Sequence, residues 1–133
     1  GMTMDTKRED MTLAVLEGVA YAIRDCVEIA KKQDIPIKSA TICGGGAKSD
    51  LWCKIIANVL NIEIKRLETE EGPGYAAVGC GVYENVESAS LKLSKEKMVI
   101  KPEKELAEKY NQKYQKFREL YPEMKKLFGK LNQ

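Results

Sequence analysis

Three consecutive glycines, Gly44-Gly45-Gly46, stand between a short apolar segment and an amphipathic one, and this limits the fold more tightly than any other feature. The full stretch reads Ile42-Cys43-Gly44-Gly45-Gly46-Ala47-Lys48-Ser49, and the amphipathic segment runs from Leu51 to Leu60. That order predicts a strand, a glycine turn and a helix. Glycine admits φ > 0 and lets a ligand reach backbone without meeting a Cβ. A helix starting behind such a turn aims unsatisfied N–H groups and a positive dipole end outwards. A phosphate or a nucleotide ribose suits that end; a tight turn with no ligand is the plainer reading. The dinucleotide fingerprint G-x-G-x-x-G and the P-loop G-x-x-x-x-G-K-[ST] are both absent.

The rest of the pattern alternates helices with short strands. Residues 9 to 32 place Leu13, Leu16, Val19, Ala20, Ile23, Val27 and Ala30 at helical spacing. Gly18 lies inside this helix, where glycine costs ~1 kcal/mol against alanine, so it reads as a point of close packing. Ser39 to Cys43 and Glu63 to Arg66 read as strands, with Ile62 and Ile64 on one face. The helix between them, capped by Ser49 or Asp50, makes a crossover, which predicts a parallel, right-handed pair. Gly72-Pro73-Gly74 marks another turn, followed over 74–87 by a helix rich in small residues, and Met98-Val99-Ile100 reads as a short strand or extended arm. Pro102 to Tyr121 predicts a second long helix whose stripe, Leu106, Tyr110, Tyr114, Phe117 and Leu120, is read as a packing face. Pro122 is expected to break or kink it before a last turn through Met124, Leu127 and Phe128.

Composition removes several function classes. The 133 residues suffice for one domain with a core. A net charge of +2, with the two signs interleaved, points to neither nucleic acid nor a membrane surface. No apolar run approaches the ~20 residues of a membrane helix. Gly1 to Asp10 is polar and reads as no signal peptide, with Gly1 ahead of Met2 resembling a tag remnant. The chain has no histidine, which excludes mixed Cys/His zinc sites and histidine-activated nucleophiles. Cys26, Cys43, Cys53 and Cys80 form no C-x-x-C pair and read as reduced, mostly buried thiols of a cytoplasmic protein.

The stretch Val15-Leu16-Glu17-Gly18-Val19-Ala20-Tyr21, then Gly44 to Ser49 with Leu51-Trp52, then Glu68-Thr69-Glu70-Glu71-Gly72-Pro73, resembles the C-terminal domain of the FGGY carbohydrate kinases. Tyr110, Tyr114, Phe117 and Leu120-Tyr121-Pro122 resemble the tail of xylulokinases and their near relatives. The resemblance implies an α/β fold: part of a ribonuclease H-like domain of the actin and sugar-kinase type, with a few-stranded, mostly parallel sheet and long helices. It implies a polar lead-in over 1–8 and a nucleotide-binding domain over 9–133, without that domain's opening strands and without the N-terminal catalytic domain. By the same resemblance Gly44, Gly45, Gly46, Ala47, Lys48 and Ser49 form the adenosine motif. Trp52 then either flanks the adenine or fills the core.

The implied activity is ATP-dependent phosphorylation of a sugar, D-xylulose first. Gluconate or another ketopentose or polyol is the alternative, since sugar contacts belong to the other domain. The implied cofactors are ATP and Mg2+, the metal held mainly by phosphates and by the other domain. No catalytic or metal residue is assigned: Glu68, Glu70 and Glu71 read as solvated carboxylates. Two departures from the family stand out: the segment after Gly74 is shorter, with a family glycine falling near Ala76, and Asn58 stands where aspartate is common. A binding or assembly module without catalysis is the second class of function. A dehydrogenase-like domain is disfavoured, because Lys65 and Arg66 stand where an acidic residue would hold the ribose. A sheet lacking neighbours leaves apolar surface and an open edge, so a homodimer or other self-association is expected.

Overall fold

The computed structural model describes residues 1–67, 78, 80–82, 84, 85 and 96–131. Along the chain come α1 (Arg8–Lys31), β1 (Ser39–Ile42), a 3-10 turn (Gly45–Lys48), α2 (Asp50–Leu60), β2 (Glu63–Leu67), β3 (Glu96–Ile100) and α3 (Lys104–Leu131). The boundaries have local causes. Asp10 accepts the Lys7 N–H at 2.9 Å, which closes the first turn of α1. Ser49 accepts the Trp52 N–H at 3.2 Å and caps α2. Asn61 ends α2 in the left-handed region, φ 51°, which asparagine tolerates better than most residues.

The sheet has the order β1-β2-β3. β1 and β2 run parallel, from Ser39 opposite Glu63 to Ile42 opposite Arg66, as a helical crossover requires. β3 is a strand and runs antiparallel to β2, Ile64 facing Ile100, so the described sheet is mixed rather than mostly parallel. Two-residue periodicity sends Ala40, Ile42, Ile64 and Ile100 towards the core and leaves Ser39 and Thr41 on the outer face.

Helix α2 is the centre of the molecule. Cys53, Ile55, Ile56, Ala57, Val59 and Leu60 are all buried, because α1, α3 and the sheet cover it from several sides. Ala20 and Tyr21 from α1, Ile62 and Ile64 near and on β2, and Tyr114 from α3 complete the core. Between α1 and α3 the contact is aromatic. The Tyr21 ring centroid lies 5.2 Å from Phe117, 6.0 Å from Tyr114 and 6.4 Å from Tyr110. Arg24 sits 4.1 Å over the Tyr114 ring, and the Tyr114 hydroxyl donates to Asp25 at 2.5 Å. Tyr110, Tyr114 and Phe117 of the α3 stripe thus form a packing face, whereas Leu106 and Leu120 at its ends are exposed.

Three expectations need correction. Pro122 does not end α3, which continues to Leu131. A helix interior proline forfeits one backbone hydrogen bond, and the turns on either side carry the helix past it. The cysteines are not mostly buried: Cys26, Cys43 and Cys80 are exposed and Cys53 alone is buried. Helical and turn geometry sets their exposure, and single thiols on α1 and at the end of β1 face outwards. Gly18 is no close-packing point among the described residues, since a Cβ there would meet nothing within 4 Å. The turn at Gly72-Pro73-Gly74, nearly all of the small-residue helix over 74–87, and Glu68, Glu70 and Glu71 lie outside the described residues.

Candidate nucleotide-binding turn

β1 delivers the chain to Gly44, whose backbone sits at φ 78°, ψ −172°. That region is open essentially only to glycine. A Cβ at Gly44 would meet no atom within 4 Å, so the requirement is one of backbone conformation and not of space. The chain then winds into the 3-10 turn, with Ala47 N–H donating to Gly44 O and Ser49 N–H to Gly46 O, both at 3.1 Å. Gly46 is glycine for a different reason. A Cβ there would lie 3.0 Å from Cδ1 and Nε1 of Trp52, so the indole occupies the space a side chain would need. Trp52 is itself half-buried and packs against the core. Gly45 carries neither constraint.

The underside of the turn is fixed by residues distant in sequence. Ala47 is buried, and its carbonyl accepts from Arg66 Nη1 at 3.1 Å and from the Cys53 thiol at 3.6 Å. The same Nη1 lies 2.6 Å from Asp50 Oδ1. Burial pushes the Cys53 thiol above its ordinary pKa, against the pull of the Arg66 guanidinium. A neutral thiol donating to a carbonyl therefore suits this position.

The electrostatics at the start of α2 differ from a bare helix N-terminus. Ser49 already takes the Trp52 N–H, and the Asp50 carboxylate places negative charge in the first turn. A phosphate brought to that end would meet this carboxylate at close range. The N–H groups at the start of the 3-10 turn, on Gly45 and Gly46, have no acceptor within the turn itself. Gly44, Gly45, Gly46, Lys48 and Ser49 are exposed, and Ala47 contributes backbone and packing from below. Arg66 offsets the Asp50 charge, and the exposed Lys48 stands beside the backbone donors of the turn.

Two polar contacts were not read from sequence. One is Arg66, whose two-residue offset from buried Ile64 places it on the core-facing side of β2, where a cation needs partners. The other is Asn58, 3% exposed. Its Nδ2 donates to Lys54 O at 2.9 Å and its Oδ1 accepts the Glu103 N–H at 2.7 Å, tying α2 to the start of α3. Nothing local in the sequence announces that pairing across 45 residues. Among the described residues no group of His, Cys, Asp and Glu could hold a metal ion, and no helix is long and apolar enough to cross a membrane.

A glycine turn between the first strand of a parallel pair and its crossover helix recurs across nucleotide-binding α/β folds. The profile of the FGGY family of carbohydrate kinases, C-terminal domain, matches residues 1–84, and the chain belongs to this family. Xylulose kinase from Staphylococcus epidermidis is 33% identical over 136 residues, covering 98% of this chain and 27% of its own length. Ribulokinase from Bacillus licheniformis is 33% identical over 143 residues, covering 99% of this chain and 25% of its own. A crystal structure of a xyloylose kinase from Brucella ovis superposes with a TM-score of 0.80 at 30% identity, over 96% of this chain and 27% of that one. These relatives are sugar kinases, and the chain spans about a quarter of their length.

Proposed function

We propose that this chain supplies the adenosine side of the ATP site in a sugar kinase, and that D-xylulose is the sugar phosphorylated. The observation that carries the reading is the turn from Gly44 to Ser49. Gly44 is held in a glycine-only conformation, and the turn leads into a capped helix inside a domain of the FGGY family. In this reading Gly44, Gly45 and Gly46 let backbone lie against the nucleoside, and the N–H groups of Gly45 and Gly46 donate to it. Ala47 anchors the turn from below. Lys48 and Ser49 border the site, with Ser49 committed to capping α2. ATP supplies the transferred phosphoryl group. Mg2+ would be held mainly by its phosphates and by the rest of the kinase.

Xylulose is favoured over other sugars because xylulose kinases stand among the relatives that cover nearly the whole chain. Ribulose, another ketopentose, is supported by a ribulokinase of equal identity, and gluconate and polyols remain in the same class. Comparing ATP-dependent phosphorylation of D-xylulose, ribulose, gluconate and glycerol by the complete gene product decides among them. The nucleotide site itself is tested by titrating the isotope-labelled chain with ADP. Saturable amide shifts on Gly44 to Ser49 support it, whereas saturable shifts confined to other residues refute it.

A further inference from the structure

We infer that Arg66 is the positioning residue of the glycine turn: by bonding at once to the Ala47 carbonyl and the Asp50 carboxylate, it holds the turn in the conformation that receives a nucleoside. The inference rests on the nucleotide reading given above. Arg66 touches no ligand surface of the turn. Its side chain is 13% exposed and lies beneath, on the core-facing side of β2. From there Nη1 reaches Ala47 O at 3.1 Å and Asp50 Oδ1 at 2.6 Å. The first acceptor belongs to the 3-10 turn and the second to the opening residue of α2, so one guanidinium group joins the two segments on either side of Ser49. β2 in turn is held between two strands, and Arg66 pairs with Ile42 at the point where β1 runs into the glycines. The turn is thus referenced to the middle strand of the described sheet, next to the point where its pairing with β3 shifts register.

The need for such a clamp follows from the composition of the turn. Three glycines cost the folded state more conformational entropy than any other residues would. The turn's own closing bonds are those of Ala47 to Gly44 and Ser49 to Gly46. A charged donor on an inward-facing carbonyl is stronger than a neutral one and has the fixed geometry that a planar fork supplies. Binding to a turn that is already ordered does not have to order it, so the clamp should appear as nucleoside affinity. Both bonds come from one nitrogen, Nη1, whose hydrogens are fixed in the guanidinium plane, and lysine keeps the charge on a shorter stem without that fixed direction.

The test compares wild type with Arg66→Met and Arg66→Lys in the 133-residue chain, titrated with ADP and with uncharged adenosine. Amide hydrogen exchange is followed without ligand at Ala47 and Ser49 and, as an internal reference, at Val59 and Leu60. Positioning predicts that Arg66→Met weakens ADP and adenosine alike by about tenfold. It also predicts faster exchange at Ala47 and Ser49 relative to Val59 and Leu60, with Arg66→Lys intermediate in both. A loss confined to ADP would show that Arg66 acts only through its charge on phosphate and would overturn the inference. So would uniform acceleration of exchange, which marks general destabilisation, or unchanged affinity with unchanged exchange. If wild type binds neither ligand, the nucleotide reading fails by itself, and the exchange comparison still decides whether Arg66 holds the turn.

Discussion

Replacing Asn58 gives the sharpest test of how α2 and α3 are joined. In Asn58→Ala the Glu103 N–H loses the acceptor 2.7 Å away, and Lys54 O loses the second of its donors. Glu103 is exposed and the bond part-buried, so water replaces some of it and its loss costs about 0.5–1.5 kcal/mol, to which the volume emptied at buried Asn58 adds on the order of 1 kcal/mol. Alanine returns roughly 0.6 kcal/mol through its better helix propensity. The net expectation is a loss of about 1–2 kcal/mol, or a fall in Tm of about 3–6 °C for a domain of this size. Two companions separate the hydrogen bond from simple packing. Asn58→Leu refills most of the volume but offers no acceptor, so it should lose the bond's share alone. Asn58→Asp keeps the acceptor at the start of α3, where the helix dipole favours negative charge, but from the last turn of α2 it turns its second oxygen on the Lys54 carbonyl, so it should lose less than alanine without matching wild type. Urea denaturation of the four proteins, at one pH and with the slopes compared, reads all three values. A leucine variant as stable as wild type, or an aspartate variant as unstable as alanine, refutes the argument. It would mean that volume, and not the bond to Glu103, is what this position supplies.

Gly44→Ala should cost about 1–3 kcal/mol from backbone strain alone, because the added methyl would meet nothing; the ADP titration should weaken with it, and a neutral outcome in both would show that the turn relaxes freely. Gly18→Ala should stabilise the chain by roughly 0.5–1 kcal/mol, and a destabilised variant would reveal packing at that position that the described residues do not contain. Burial and the hydrogen bond to Asp25 push the Tyr114 hydroxyl up to about 12, and burial raises Tyr21 as well. A raised folded pKa contributes stability that is present below the unfolded value of 10.0 and is lost as pH climbs through about 12. Denaturation midpoints measured from pH 8 to pH 12 should therefore fall above pH 10, and Tyr114→Phe should shrink that fall. Val15 and Val19 are 67% and 49% exposed on one side of α1, which predicts concentration-dependent sedimentation that Val15→Lys with Val19→Lys abolishes; a monodisperse wild-type monomer at every concentration would sink it.

Periodicity and capping chemistry are local, and they placed most of this fold. The stripe from Leu13 to Ala30, the Ser49 cap and the spacing of Tyr110, Tyr114 and Phe117 each depend on residues a few positions apart, and each matches an observed element. What the sequence left open are relations between distant residues. The antiparallel direction of β3 depends on a connection whose local pattern is ambiguous. The persistence of α3 beyond Pro122 sets one lost hydrogen bond against the favourable turns around it, a balance that a proline rule does not weigh. Gly18 is the reverse case, because glycine inside a helix suggests close packing and no described neighbour supplies it.

The glycine turn shows the same division within a single site. Three adjacent glycines look equivalent in sequence, yet they answer to three different conditions. Gly44 meets a backbone demand, Gly46 yields space to the Trp52 ring, and Gly45 is bound by neither. Only at Gly45 does a need for ligand approach stand as the remaining reason for glycine. The start of α2 narrows the ligand further. An uncapped helix would invite a phosphate, but Ser49 and Asp50 have already supplied the N-terminus with an acceptor and a negative charge. Arg66 offsets that charge from below while bonding the turn, and the outward surface presents backbone donors beside the exposed Lys48. On the reading proposed above, backbone donors on a glycine turn would recognise the nucleoside end of ATP by shape and hydrogen bonding.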